Sequence, residues 1–254
     1  MNQILVTKKL YITPELKRKK KIYKFDFIIS IFLVCILTSV YIYAEYDRNK
    51  SEEVSQEILA DINEKMPIVE DETIAHDDVL LVVLDGTEED YAAIGREEIP
   101  NIAEVNQQAE IKTTQSGYQY KTIATIEIPK INVNYPILQG ETGSIEETEA
   151  LLKMSPCKYH GPEPNEIGNF CVVGHNYRNS KFFSKVPTLV SGDTIKITDL
   201  TGRAITYVVY DKYTVDPNDT SCTTQLTGGK KEVTIITCTD DSKLRVVVKC
   251  KELK

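Results

Sequence analysis

The feature that most constrains this chain is an uncharged apolar run at residues 27–44, which follows a strongly basic segment. Eighteen residues are about the shortest length that crosses a hydrocarbon core as a helix. Lys and Arg cluster on the cytoplasmic side of such helices, and Tyr41 and Tyr43 suit the opposite interface. We therefore expect a basic cytoplasmic tail over residues 1–24, a transmembrane signal anchor over 25–44, and everything later outside the cell.

Two other interpretations of the apolar run are weaker. A cleaved signal peptide has a shorter apolar region and an A-x-A-like site, whereas Ile42-Tyr43-Ala44 places a large residue in that site. A buried core helix would not carry so dense a basic flank. An uncleaved anchor with a single span is the favoured interpretation.

Residues 45–119 are rich in Asp and Glu and weakly patterned. Val54, Ile58, Ile62 and Met66 recur at four-residue spacing, which predicts an amphipathic helix over 51–66 with Ser51 as its N-cap. The apolar run 79–84 is a strand or a binding segment. We interpret the region as a solvated acidic stalk or linker, and we consider that part of it covers the functional site as a lid.

Composition limits the partners and the redox chemistry. The net charge of −8 argues against nucleic acid as a partner. Six cysteines occur without a CxxC pair, and five of them lie outside the apolar run. At least one thiol therefore stays unpaired whatever bridges form, and an odd thiol in an exported domain is a candidate reactive group.

From residue 120 onward the chain changes to short β-branched runs separated by turn residues. Seven or eight strands and short helices are predicted in residues 120–254. A domain of this length can bury a hydrophobic core without disulfide bonds or metal ions. The pattern predicts an all-β fold, a closed barrel or a sandwich. The predicted strands are 122–128, 131–138, 169–173, 194–198, 204–215, 233–238 and 244–250, and residues 145–152 are predicted to form a short helix.

Two strands near the C-terminus form a predicted hairpin around the polar turn TDDSK. Cys238 ends the first strand and Arg245 opens the second, so both lie close to the turn. A fixed positive charge favours the thiolate and stabilises an oxyanion. The competing interpretation is a packed thiol beside a surface Arg, and taken alone this stretch slightly favours it.

His175 follows an apolar strand and is a candidate partner for Cys238, since Cys–His pairs supply a sulfur nucleophile and an acid. A competing interpretation takes Cys157, His160, Cys171 and His175 as a tetrahedral zinc site in a non-enzymatic surface binding domain. Cys157 and Cys171 also fit core packing or one disulfide. Asp240 and Asp241 are adjacent on a turn and are interpreted as solvated.

Three separated motifs resemble the sortases, the membrane-anchored cysteine transpeptidases of Gram-positive bacteria. IEIPKINVNYPILQG at 126–140 is similar to the first strand pair of the sortase barrel, and CVVGHN at 171–176 to the segment carrying the catalytic His. TIITC at 234–238 resembles the Thr-Leu-x-Thr-Cys signature, and LRVVVK at 244–249 follows with its Arg in place. The order of the motifs and the N-terminal anchor agree with the family.

The resemblance implies a closed sortase-like barrel and assigns roles to four residues. Cys238 would attack the Thr carbonyl of a Leu-Pro-x-Thr-Gly-like sorting motif, His175 would be the general acid and base, and Arg245 would hold the oxyanion. Thr237 would contact substrate. No metal or other cofactor is implied.

The implied partners are surface proteins with a C-terminal sorting signal and an amine on a peptidoglycan precursor or a pilin. The location is the cell membrane, with the catalytic domain outside. Residues 216–231 look like a loop without the helical insertion of class B sortases, which favours a housekeeping or class D-like enzyme.

Overall fold

The structure, a computed structural model, describes residues 14–66 and 109–253. The chain divides into two compact units, one within residues 1–49 and one within residues 50–254. The apolar run 79–84, with most of the predicted stalk and lid, lies outside the described residues.

The first unit contains the N-terminal part of helix α1, Pro14–Lys65. This helix includes a segment long and apolar enough to cross a membrane, whose side chains are exposed. Inside it, the hydroxyls of Thr38 and Ser39 donate to the carbonyl oxygens of Val34 and Cys35 at 2.9 and 2.7 Å. These polar side chains are therefore satisfied within the helix, as a hydrocarbon environment requires.

The prediction that Ser51 caps a separate helix is wrong. Ser51 lies inside α1, so its backbone has helical neighbours on both sides. No Pro or Gly occurs between residues 44 and 51 to interrupt the helix. The helix predicted over residues 51–66 is otherwise present and ends at Lys65.

The second unit is built on a sheet with one short helix. Its elements are β1 Lys112–Thr113, β2 Gln119–Ile128, β3 Val133–Gly140, α2 Ile145–Leu152, β4 Cys157–His160, β5 Gly168–Val173, β6 Thr194–Asp199, β7 Ala204–Val215, β8 Lys231–Cys238 and β9 Arg245–Glu252.

The sheet closes on itself and confirms the predicted barrel. The strand order is β1-β2-β3-β4-β5-β8-β9-β7-β6, and an additional pairing of β2 with β6 completes an eight-stranded barrel with β1 at its margin. Closure leaves the eight strands with hydrogen-bonded neighbours on both sides. The interior is filled by β-branched and aromatic residues that include Ile126, Phe170, Val172, Ile235 and Val248.

Residues 50–65 of α1 belong to this second unit and pack against the barrel. Ile58 joins a buried cluster with Tyr120, Leu138 and Leu151, at the outer side of the barrel wall. The compact unit therefore begins at Lys50 and includes β1, both ahead of the boundary at residue 120 that the sequence suggested.

Candidate active site

Cys238 and Arg245 are direct cross-strand partners at one end of the barrel. Cys238 is the last residue of β8, Arg245 is the first of β9, and the antiparallel register pairs them. A six-residue turn joins them, closed by the Thr239 N–H donating to the Leu244 carbonyl at 3.0 Å. Side chains directly opposite in a sheet share one face, so the thiol and the guanidinium face the same side.

His175 comes to the same end because β5 runs parallel to β8. Val173 pairs with Ile236, and the Gly174 N–H donates to the Ile236 carbonyl at 3.1 Å. His175 lies two residues beyond Val173, and Cys238 lies two beyond Ile236. The parallel register therefore brings His175 level with Cys238 at the ends of neighbouring strands.

Two side chains hold the His175 segment onto β8. The Thr237 hydroxyl is buried and donates to the Gly174 carbonyl at 2.8 Å. The Asn176 amide donates to the Cys238 carbonyl and to Asp240 Oδ1, at 3.0 Å each. Asp240, which the sequence indicated as solvated, thus contributes to this connection. His175 is flanked on both sides by residues tied to β8.

Gly174 permits a close approach behind the histidine. A Cβ at this position would lie 2.3 Å from the ring of Phe183, which is fully buried. The Phe183 N–H donates to the His175 carbonyl at 3.1 Å. Phe183 can therefore sit against the backbone that carries His175 because position 174 has no side chain.

A groove of about 290 Å³ lies beside this end of the barrel. Val173, Ile236 and Cys222 contribute apolar surface, and Arg245 stands among its lining residues. One wall is α2, and another is the connection from β7 to β8, where Pro217 and Thr220 lie. That connection contains one 3-10 turn, Ser221–Thr223, and no helical insertion.

The electrostatic setting of His175 favours the neutral ring. Burial lowers the pKa of His175, and the cations Lys153 and Arg245 act in the same direction. Glu149 opposes them, with its Oε2 4.0 Å from His175 Nε2. A neutral imidazole beside a thiol is able to accept its proton.

Aromatic rings support the segment that follows His175. The Tyr177 ring lies 5.2 Å from the His175 ring and meets Phe182 edge-on at 5.4 Å. Phe182 has a positive φ of 48°, is fully buried and stacks on Tyr135 at 4.9 Å. The Tyr135 hydroxyl accepts from the Phe182 N–H at 3.2 Å. This contact stabilises a backbone conformation that is costly for a bulky residue.

The four residues of the alternative zinc site do not form one. Cys157 packs in the cluster with Leu138 and Leu151, whereas Cys171 lies near Cys222 and Lys249. His160 is exposed at the end of β4. Within residues 14–66 and 109–253, no group of three His, Cys, Asp or Glu side chains could hold a metal ion. The zinc interpretation fails because the ligands point to different surroundings.

The cysteines are free thiols with different environments. Cys157, Cys171, Cys222 and Cys250 are buried, whereas Cys238 is partly exposed. Burial raises the pKa of Cys171 to about 12 and places that of Cys157 well above its ordinary value. The disulfide considered for Cys157 and Cys171 is absent from the structure. Among the thiols of the barrel, only Cys238 is both partly exposed to solvent and paired across the sheet with a cationic residue.

Sequence reasoning missed Asn176 and Glu149. The sequence does contain an indication for Asn176, because it directly follows His175 and an Asn side chain can form a hydrogen bond with a neighbouring backbone. The sequence contains no indication for Glu149, since only the fold brings α2 to the His175 segment.

Comparisons with known proteins identify the family of this chain. A family model described as the Sortase domain matches residues 126–253. A comparison with curated proteins finds no match. The structure is similar to that of a Clostridium perfringens Sortase D5 transpeptidase, with 27% identity, a TM-score of 0.53, and coverage of 80% of this chain and 99% of that one.

Two further solved structures are similar over about half of the chain. Sortase C-1 from Actinomyces oris shares 25% identity over 52% of this chain and 73% of that one, with a TM-score of 0.45. Sortase A from Listeria monocytogenes shares 23% identity over 52% of this chain and 88% of that one, with a TM-score of 0.45. With the family model matching just over half of its length, the chain belongs to the sortase family of transpeptidases.

Proposed function

We propose that this protein is a cysteine transpeptidase that cleaves a Leu-Pro-x-Thr-Gly-like sorting motif and joins the Thr carboxyl to an amine. The observation that carries the proposal is the convergence of three residues at one barrel end. Cys238 and Arg245 are cross-strand partners, and the parallel register of β5 and β8 brings His175 beside them. A thiol, an imidazole and a guanidinium at one end of the barrel, with the guanidinium lining the groove, are groups suited to acyl transfer.

In the first half-reaction, the Cys238 sulfur attacks the Thr carbonyl carbon after its proton passes to His175. The C–N bond then breaks, and His175 returns the proton to the leaving amine. Arg245 donates hydrogen bonds to the oxyanion of the tetrahedral intermediate. The product of this half-reaction is a thioester between Cys238 and the substrate Thr.

In the second half-reaction, an amine attacks the thioester and transfers its proton to His175. The C–S bond breaks, and the Cys238 thiol is restored. The acceptor class is an amine on a peptidoglycan precursor or a pilin. The likeness to a Sortase D5 transpeptidase and the absence of an α-helix within residues 216–230 favour a class D-like enzyme.

Thr237 has a different role in this proposal from the one the sequence suggested. Its side chain is buried and its hydroxyl already donates to the Gly174 carbonyl. We therefore assign it to positioning the His175 segment against β8, and not to direct substrate contact.

The proposed location is a membrane, with the barrel outside the cell. The basic residues between Lys17 and Lys24 lie on the N-terminal side of the apolar segment of α1, as expected for a cytoplasmic flank. The exported barrel then meets sorting substrates that emerge from the same membrane.

The decisive experiment measures cleavage of a fluorogenic sorting peptide by the detergent-solubilised full chain. Cys238→Ala should abolish cleavage and the thioester adduct seen by mass spectrometry, with little change in Tm, because Cys238 is only partly buried. Cys157→Ala is the matched control: it removes a fully buried thiol and should lower Tm while cleavage persists. Cleavage by Cys238→Ala at the wild-type rate would refute the proposal.

A second pair of variants tests the guanidinium. Arg245→Lys keeps the positive charge but removes the planar guanidinium with its several N–H donors, and we expect kcat/KM to fall by about 10²-fold. Arg203→Lys is its control, since Arg203 pairs with Asp199 and Glu166, which do not line the groove. That variant should lower Tm and leave kcat/KM within about twofold.

A further inference from the structure

One carboxylate beside His175 comes from α2, outside the three motifs that identified the site. Glu149 Oε2 lies 4.0 Å from His175 Nε2, and the Glu149 side chain is 61% exposed against 25% for His175. Glu149 also lines the groove, together with Ile145, Thr148 and Leu152 from the same helix. The carboxylate therefore stands at the groove wall, facing the imidazole.

The position of α2 is fixed by its N-terminal loop. The Ser144 hydroxyl accepts from the Glu147 N–H at 3.2 Å as the helix N-cap. The Glu147 carboxylate accepts from the N–H groups of Gly143, Glu141 and Thr142, at 2.6 to 3.2 Å. A Cβ at Gly140 would collide with Glu147, at 2.2 Å, so the strand and the helix approach closely. Glu149, two residues later, is presented from a constrained helix.

Among the described residues, the other charged groups that act on His175 are the cations Lys153 and Arg245. Lys153 is the C-cap residue of α2, four residues after Glu149, Arg245 lies on β9, and the Cys238 thiol lies on β8. Both cations disfavour a proton on the imidazole, as does burial, and Glu149 is the group that opposes them. The ring of Tyr177 lies 5.2 Å from the ring of His175.

We propose that Glu149 is a positioning residue that orients the His175 ring through Nε2 and stabilises its protonated form. During the first half-reaction the imidazole takes the thiol proton, and a facing carboxylate stabilises the positive charge that develops. The proposal rests on the acid–base role assigned to His175. The interaction is solvent-exposed on the Glu149 side, so its contribution is modest.

The test compares Glu149→Gln with Glu146→Gln in the full chain in detergent. Glu146 is an exposed residue on the same helix and receives the same change in charge. With ¹³C-labelled histidine, NMR titration follows the ring of His175, assigned with a His175→Ala sample. Peptide cleavage is measured across the same pH range.

We expect Glu149→Gln to lower the pKa of His175 and to reduce kcat/KM about two- to fivefold near neutral pH. The pH profile of kcat/KM should move with the titration, which a purely structural role would not produce. Glu146→Gln should leave both as in the wild type. An unchanged His175 titration in Glu149→Gln would overturn the proposal.

Different results refute the acid–base role of His175 and the positioning role of Glu149. If Glu149→Gln shifts the His175 titration while His175→Ala still cleaves peptide at the wild-type rate, the acid–base role of His175 is refuted and only the pairing of Glu149 with His175 survives. If His175→Ala is inactive and Glu149→Gln titrates as wild type, the positioning role alone is refuted.

Discussion

The side-chain amide of Asn176 donates a hydrogen bond to the main-chain carbonyl of Cys238 across 3.0 Å. The residue after the candidate acid–base thus holds the backbone of the candidate nucleophile. The same amide donates to Asp240 Oδ1, and Asn176 Oδ1 accepts from the Arg178 N–H at 2.9 Å. Asn176 therefore connects the His175 segment to the last residue of β8 and to the start of the β8–β9 turn.

Asn176→Ala should lower kcat/KM about tenfold, because removing this connection lets His175 and Cys238 move apart. KM for the peptide should change less than kcat. Asn134→Ala, an exposed Asn on β3, is the control and should retain wild-type kinetics. Wild-type kinetics in Asn176→Ala would show that the segment keeps its place without this amide.

Tyr135 links residues 50–65 of α1 to the His175 segment. Its hydroxyl donates to Glu52 Oε1 and accepts from the Phe182 N–H, at 3.2 Å each. Glu52 also pairs with Lys181 at 2.7 Å. The contacts continue from Phe182 to Tyr177 and then to His175.

Tyr135→Phe should therefore reduce stability by about 1–2 kcal/mol, because the buried Phe182 N–H loses its acceptor. It should also reduce kcat/KM several-fold, since the Phe182 conformation supports the His175 segment. Tyr210→Phe is the matched control: its hydroxyl donates to Glu232 at 3.3 Å on the exposed surface. Chemical denaturation and peptide cleavage of both variants give the comparison. If the two variants had the same stability and the same kcat/KM, Tyr135 would not support the His175 segment.

Helix α1 contributes to the stability of the barrel unit through its last turns. Ile58 is 6% exposed and packs against the barrel wall. The Ser55 and Ser155 hydroxyls are buried and lie 3.0 Å apart, and Lys112 pairs with Asp61 at 2.6 Å. A protein that starts at residue 67 would lose all of these contacts.

We expect Ile58→Ala to lower the free energy of unfolding by about 2 kcal/mol, the lower end for a large-to-small change in a cluster at the barrel wall. Asn63→Ala, an exposed substitution on the same helix, should stay within about 0.5 kcal/mol of wild type. Denaturant unfolding followed by near-UV circular dichroism measures both. A negligible effect of Ile58→Ala on the free energy of unfolding would mean that this helix contact does not stabilise the barrel.

The sequence predicted the barrel well because its strands carry strong local signals. Residues 145–152 were predicted as the helix that the structure gives, and the capping Ser and its preceding Gly are visible in the sequence. Strand β4 was missed because Cys157–His160 is short and has no β-branched residue. Its place is decided by pairing with β5, which is a tertiary effect.

The candidate site was predictable only in part. Cys238 and Arg245 lie on one hairpin, so their proximity follows from local pairing. His175 reaches them through a parallel pairing of β5 with β8, which no local pattern specifies. Thr237 was expected to contact substrate, yet its hydroxyl faces Gly174, an orientation set by side-chain alternation together with that pairing. The packing of residues 50–65 was missed because acidic composition suggested solvation.

Glu147 is a carboxylate only 2% exposed that supports the loop ahead of α2. Burial raises the pKa of Glu147, but hydrogen bonds from the N–H groups of Thr142, Gly143 and Glu141 more than offset this, so the pKa lies below its ordinary value. A carboxyl with a lowered folded-state pKa stabilises the protein above its unfolded pKa. This contribution is lost as the pH falls through the folded-state pKa.

Glu147→Gln should lower stability by about 2 kcal/mol at neutral pH, because an amide replaces the acceptor of three N–H groups. The Tm should fall by roughly 4–8 °C for a chain of this size. The difference from wild type should shrink as the pH falls below about 4.5, since the wild-type carboxyl then becomes protonated. Glu146→Gln, exposed beside it, should show no such pH dependence. A Tm difference that is constant from pH 7 to pH 3 would indicate that the shape of Glu147, and not its charge, supports the loop that carries α2 and Glu149.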